Sequence, residues 1–120
     1  MKEESNLRVL IVEDESLVAM MIEDVLIDLG HEIAGVAGRL NEALRLVTEL
    51  DIDFAVLDLN LNGERTDPVA AALRSRGVPF VFATGYGVAG VTEDWSGVPV
   101  VQKPFQAHEL LAAIDTALKR

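Results

Sequence analysis

The chain of 120 residues has no cysteine, which excludes disulfides and thiolate metal sites and fits a reducing compartment without requiring one. Long apolar runs are also missing, and none approaches the roughly 20 residues needed to cross a bilayer. The N-terminus reads Lys2-Glu3-Glu4-Ser5, and the apolar stretch after it is short and broken by Arg8, so it is no signal peptide. Basic residues are few, ten Lys and Arg against twenty Asp and Glu, and they are scattered rather than gathered into a stripe that would release counterions from phosphates. A formal charge of -10 argues against a nucleic-acid surface and against an anionic membrane. The expected location is the cytoplasm.

Half of the residues are apolar and a quarter are charged, the composition of a globular protein and not of a disordered one. The length suits one domain, residues 1–120 with 1–6 as a polar tail, burying about two thirds of the surface the unfolded chain would expose.

Leu7 to Val12 is a short, nearly continuous apolar run rich in β-branched residues, as expected of a strand buried on both faces. From Leu17 apolar residues recur at helical spacing (Val18, Met21, Ile22, Val25, Leu26, Leu29), with Glu23, Asp24 and Asp28 on the other face and Gly30 as the stop. Ile33 to Ala37 is a second strand, and Leu40, Ala43, Leu44 and Val47 mark a second helix running to about Leu50. Phe54 to Leu57 is the third strand, after which Asp67-Pro68 opens a helix with an acidic N-cap and proline at its first position. That helix closes at Gly77. Val78 to Ala83 and Val98 to Gln102 are the fourth and fifth strands, each with a proline near its start. The last helix carries Ala107, Leu110, Leu111, Ile114, Ala117 and Leu118 on one face and runs to Arg120.

Strands alternating with helices imply a doubly wound α/β domain, a flavodoxin-like parallel sheet of about five strands joined by right-handed crossovers. The common order is 2-1-3-4-5, in which ligands bind beyond the carboxyl ends of the strands at the switch between the first and third. Glu13, Asp14 and Asp58 would then face one another. Between the fourth and fifth strands lie Gly85, Gly87, Gly90 and Gly97, and a glycine inside a helix costs about 1 kcal/mol relative to alanine, so a fourth helix should be short or mobile.

Three carboxylates brought together do not all ionise cheaply without a hard cation among them. Magnesium suits such a site, because it binds through one or two carboxylates plus a phosphate oxygen. Asp58 is then placed to act as a nucleophile on phosphorus, with Lys103 a point charge and Thr84 a hydroxyl donor to the phosphoryl oxygens. Taken singly, each residue has a plainer reading. Glu13-Asp14 is equally a helix N-terminus, Asp58 equally a turn residue, Thr84 a strand end and Lys103 a solvated lysine. Their coincidence at four strand ends favours the site.

The strings Val9-Leu10-Ile11-Val12-Glu13-Asp14-Glu15, Ala55-Val56-Leu57-Asp58, Ala83-Thr84-Gly85 and Gln102-Lys103-Pro104-Phe105 resemble, in order and spacing, the receiver domain of two-component response regulators. The resemblance covers nearly the whole chain. It implies that Asp58 is the phosphoacceptor, that Glu13, Asp14, Asp58 and the Asn60 backbone carbonyl hold Mg2+, and that Thr84 and Lys103 are the switch hydroxyl and phosphate-binding lysine. It also implies a Lys103-Pro104 bond that is often cis. Two positions depart from the family: Val100 stands where an aromatic residue usually reports phosphorylation, and Asn62 where proline is common. Phe82-Ala83-Thr84-Gly85-Tyr86 instead resembles an atypical receiver subfamily, often stand-alone, named for its Phe-Ala-Thr-Gly-aromatic motif, with a poorly formed fourth helix.

The function this implies is a phosphorylation-dependent switch, not an enzyme, charged by a histidine kinase or phosphotransfer protein and signalling through a downstream protein partner. No output domain is expected after the last helix. A sink in a phosphorelay and a fragment of a longer protein stay open, as does a pseudo-receiver, a binding module regulated without phosphorylation. A Mg2+-dependent phosphotransferase is disfavoured by Asn60 at the position of its usual second aspartate. Tyr86 is a possible gate over the site or a plain loop residue. Trp95 is an anchor for the segment between the fourth and fifth strands, or an exposed contact for a partner. His31 and His108 lack a partner histidine at ligand spacing and receive no role.

Overall fold

The computed structural model describes residues 6–85 and 91–119. In chain order the elements are β1 (Arg8–Val12), α1 (Ser16–Asp28), β2 (Glu32–Ala37), α2 (Leu40–Glu49), β3 (Phe54–Asp58), β4 (Asn60–Leu61), β5 (Glu64–Arg65), α3 (Asp67–Ser75), β6 (Phe80–Thr84), β7 (Val100–Gln102) and α4 (Ala107–Lys119). Five strands form one sheet in the order β2-β1-β3-β6-β7, and all its pairings are parallel. Setting aside the small β4-β5 hairpin, this is the 2-1-3-4-5 order expected of a doubly wound, flavodoxin-like sheet.

The strands alternate between two apolar layers, as the period of two demands. Val9 and Ile11 of β1, with Phe54 and Val56 of β3, pack under α1 and α4 against Ile22, Leu26, Leu110 and Ile114. Leu10, Val12, Ala55 and Leu57 face the opposite way with Phe80 and Phe82, against Val47 of α2 and Val69 and Leu73 of α3. Burial on both faces is why these strands read as continuous apolar runs. Phe54 and Phe82 are completely buried, and truncating either to alanine should cost about 3–5 kcal/mol.

Helix α1 buries Ala19, Ile22 and Leu26 while Leu17, Met20, Met21 and Ile27 stay exposed, so its apolar character wraps further round than one core-facing stripe. Gly30 follows it at φ 91°, the left-handed conformation that ends a helix most cheaply on glycine.

Several details differ from expectation. Strand β6 starts at Phe80 and β7 at Val100, leaving Pro79 and Pro99 just outside the ladders they cannot donate to. The segment after Asp58, to which the sequence assigns no element, pairs into the β4-β5 hairpin through Asn60 with Arg65 and Leu61 with Glu64. Thr66, and not Asp67, occupies the N-cap position of α3, and its side chain makes no cap bond to the helix. Between β6 and β7 the described residues contain a single 3-10 turn, Glu93–Trp95, in place of a fourth helix of the α type. Trp95 is 6% exposed, with its ring edge-on to Phe80 and Phe82 at centroid distances of 6.0 and 6.4 Å. It is an anchor and not an exposed contact. His31 is likewise structural, its Nδ1 accepting the Leu7 N–H at 3.2 Å.

Candidate functional site

Adjacent parallel strands in register end together, so the residues at the carboxyl ends of β1, β3, β6 and β7 meet at one edge of the sheet. Val12 pairs with Leu57, and Asp58 with Ala83, placing Glu13, Asp58 and Thr84 at successive strand ends. The Lys103 N–H donates to the Thr84 carbonyl at 2.8 Å, which continues the β6-β7 ladder by one bond and delivers the lysine to the same edge. The Lys103-Pro104 peptide bond is cis.

Carboxylate oxygens of Glu13, Asp14 and Asp58 all lie within 4.8 Å of one another. Asp58 is 8% exposed and Glu13 3%. The Lys103 ammonium sits between these two, 2.9 Å from Asp58 Oδ2 and 2.8 Å from Glu13 Oε1, with Glu15 Oε1 further out at 3.6 Å. The other Asp58 oxygen, Oδ1, accepts the Asn60 N–H at 3.2 Å, and Glu13 Oε2 accepts the Glu15 N–H at 3.1 Å. Asp14 accepts the Asn62 N–H at 3.1 Å through Oδ2.

Burial pushes Glu13 up to about 7, although the Lys103 ammonium and the Glu15 amide pull it down. For Lys103 burial acts to lower the value, but its contacts with Glu13 and Asp58 outweigh it and raise the ammonium above its ordinary range. Lys103 therefore stays charged at neutral pH.

The donor set is made of hard oxygen atoms, which fits a hard divalent cation. Glu13 Oε1 is buried without a directed hydrogen bond despite the nearby ammonium, so it has coordinating capacity left. The site residues Glu13, Asp14, Asp58 and Lys103 are thus brought together. Asn60 adjoins Asp58 through its backbone N–H, and Thr84 is wholly buried at the neighbouring strand end. Tyr86 lies outside the described residues.

Asn62 explains one departure from the family pattern. Its backbone sits at φ 52° and its N–H is held by Asp14. Proline supplies neither, having φ near -65° and no N–H.

Sequence reasoning missed Thr66. It is fully buried, and its hydroxyl donates to the Asp58 main-chain carbonyl at 2.6 Å. Nothing in the local sequence separates this threonine from an ordinary helix cap.

A doubly wound parallel sheet with a carboxylate cluster closed by a lysine at its switch point places these groups where α/β domains of this kind bind their ligands. The chain belongs to the response regulator receiver domain family, whose model matches residues 9–115. SdrG from Sphingomonas melonis Fr1 has a solved structure 42% identical in sequence, covering 98% of this chain and 99% of that one, with a TM-score of 0.87. The BeF3-activated conformation of SdrG from Pseudomonas melonis Fr1 is 41% identical over 97% of this chain and 99% of that one, with a TM-score of 0.80. The phyllosphere-induced regulator PhyR of Methylorubrum extorquens is 34% identical over 92% of this chain and 43% of its own length. The transcriptional regulatory protein PdtaR of Mycobacterium tuberculosis is 31% identical over 94% of this chain and 57% of its own length. The chain thus spans about half the length of the curated relatives it matches.

Proposed function

We propose that this receiver domain is a phosphorylation-controlled switch, and not an enzyme, whose phosphoacceptor is Asp58. The observation that carries the reading is the position of the Asp58 carboxylate. One oxygen is held by Lys103 and the other by the Asn60 amide, inside a cluster with Glu13 and Asp14.

In the proposed step an Asp58 carboxylate oxygen attacks phosphorus of a phosphohistidine donor. The P–N bond breaks, its electron pair returns to the imidazole, and an acyl phosphate remains on Asp58. Lys103 moves its positive charge from the carboxylates to a phosphoryl oxygen, and Thr84 supplies a hydroxyl donor. Glu13, Asp14, Asp58 and the Asn60 carbonyl would hold Mg2+, which when bound supplies charge neutralisation for the phosphoryl oxygens. The donor is a histidine kinase or phosphotransfer protein, for which exposed Leu17 and Met20, on the helix that starts beside the site, offer apolar docking surface. A downstream protein partner receives the signal.

The test is intact mass after incubation with acetyl phosphate and Mg2+. A gain of one phosphoryl group that is labile to hydroxylamine and absent in Asp58→Asn is expected. No gain, from acetyl phosphate or from a cognate kinase, would favour a pseudo-receiver that binds its partner without phosphorylation.

A further inference from the structure

The ring that reports phosphorylation in most receivers is absent here, because its position is Val100, half-buried and paired with Phe82 in the β6-β7 ladder. A different aromatic side chain lies close to the same strands. The Trp95 indole N–H donates to Asp67 Oδ2 at 2.9 Å, while the other oxygen of Asp67 accepts Arg65 Nε at 2.8 Å. Arg65 is the cross-strand partner of Asn60 in the β4-β5 hairpin. Thr66, between Arg65 and Asp67, holds the Asp58 carbonyl. The Arg74 guanidinium stacks 4.6 Å over the indole and donates to the Asp94 carbonyl at 3.0 Å, fixing the far side of the turn.

We propose that the Trp95–Asp67 hydrogen bond couples the phosphoacceptor end of β3 to the segment before β7, serving as the reporter that Val100 cannot be. The inference rests on the phosphorylation reading of Asp58. Asp67 shares one carboxylate between two donors, one on the hairpin that begins two residues after Asp58 and one on the 3-10 turn. Loading the site draws on the Asn60 backbone, and movement there is passed to Arg65 across the hairpin. A carboxylate gripped by Arg65 at both oxygens, closely at Oδ1 and at 3.4 Å through Nη2 at Oδ2, then shifts relative to the indole that shares Oδ2. Hydrogen bonds to Arg65, with a further one to Trp95, hold Asp67 below the usual carboxylate range, so it remains an acceptor at neutral pH. Coupling of this kind needs a contiguous contact chain and a state-dependent element, and the contacts named supply the first.

Because Trp95 is the only tryptophan, its indole N–H gives a single resolved NMR signal. Beryllofluoride with Mg2+ is the probe. In the wild-type chain the indole signal should move, and its hydrogen-exchange rate should change by about fivefold or more, the low end of coupling between linked sites. In Asp67→Ala, beryllofluoride should still move the Asp58 and Asn60 amide signals while the indole no longer responds. Trp95→Phe keeps a ring against Phe80 and Phe82 and loses only the donor. It should accept phosphate at the wild-type rate but lose the exchange response in residues 91–99. Site amides that move without any indole response in the wild type, or an indole response that survives Asp67→Ala, overturn the proposal and leave a packing anchor. If the site amides do not move at all, the phosphorylation reading itself fails.

Discussion

Lys103 and Asp58 meet at 2.9 Å across 45 positions of sequence, and the same ammonium reaches Glu13 at 2.8 Å. One cation therefore holds two buried carboxyl groups in place. In the phosphorylation proposed above, its transfer to a phosphoryl oxygen would change the charge balance of the whole sheet edge.

Lys103→Met removes that cation and leaves Glu13 and Asp58 facing each other. The rate of phosphorylation by acetyl phosphate should fall by about 100-fold or more, the scale for loss of a preorganised charge on a transition state. Mass spectrometry against time measures it, and a rate within a few-fold of wild type would remove Lys103 from the mechanism.

The raised Glu13 value makes stability depend on pH in an unusual direction. The folded chain holds a proton on Glu13 up to about 7, whereas the unfolded chain releases it near 4.5. The contribution is complete below 4.5 and lost as pH rises through about 7, amounting to about 3 kcal/mol if no other group compensates. Denaturant unfolding without divalent metal should show stability from this group falling as pH rises from about 4.5 to about 7, and Glu13→Gln should flatten the slope. A slope unchanged by that substitution would count against the assignment.

Asn62→Pro restores the residue common in the family, yet it should destabilise this chain by more than about 1 kcal/mol, since it deletes the N–H that Asp14 accepts and cannot reach φ 52°. Asn62→Gly should be nearly neutral. Thermal unfolding of the two variants decides the matter, and equal melting temperatures would contradict the geometry.

Burial lowers the His31 value below 6.5, and its Nδ1 must be unprotonated to accept the Leu7 N–H. The sign here is opposite to that of Glu13. Stability from neutral His31 is present above pH 6.5 and lost as pH falls through the folded value. NMR titration of the ring should place its midpoint below 6.5, and a midpoint above that value would rule out the bond.

Much of this was legible in the chain. Leu7 to Val12 and Phe54 to Leu57 announced buried strands because parallel sheets covered on both faces need apolar residues at every position. Glu13, Asp14, Asp58, Thr84 and Lys103 announced the site because each directly follows, or ends, such a run. Thr66 was missed and Asp67 misread as a cap, since cap propensity is local and both side chains are satisfied by distant partners, the Asp58 carbonyl and the Trp95 indole. The β4-β5 hairpin was hidden because two-residue strands carry too little pattern to detect.

By itself the sequence determined the order of the main strands and helices, the strand ends at which Glu13, Asp14, Asp58, Thr84 and Lys103 stand, and the family, because periodicity and motif spacing are properties of neighbours along the chain. Only the tertiary structure decided that Lys103 binds both Glu13 and Asp58, that Asn62 must not be proline, and that Trp95 is tied to Asp67. Those facts depend on the register of parallel strands joined by long crossovers, where a hydrogen-bond partner stands tens of residues away and local propensity says nothing about it.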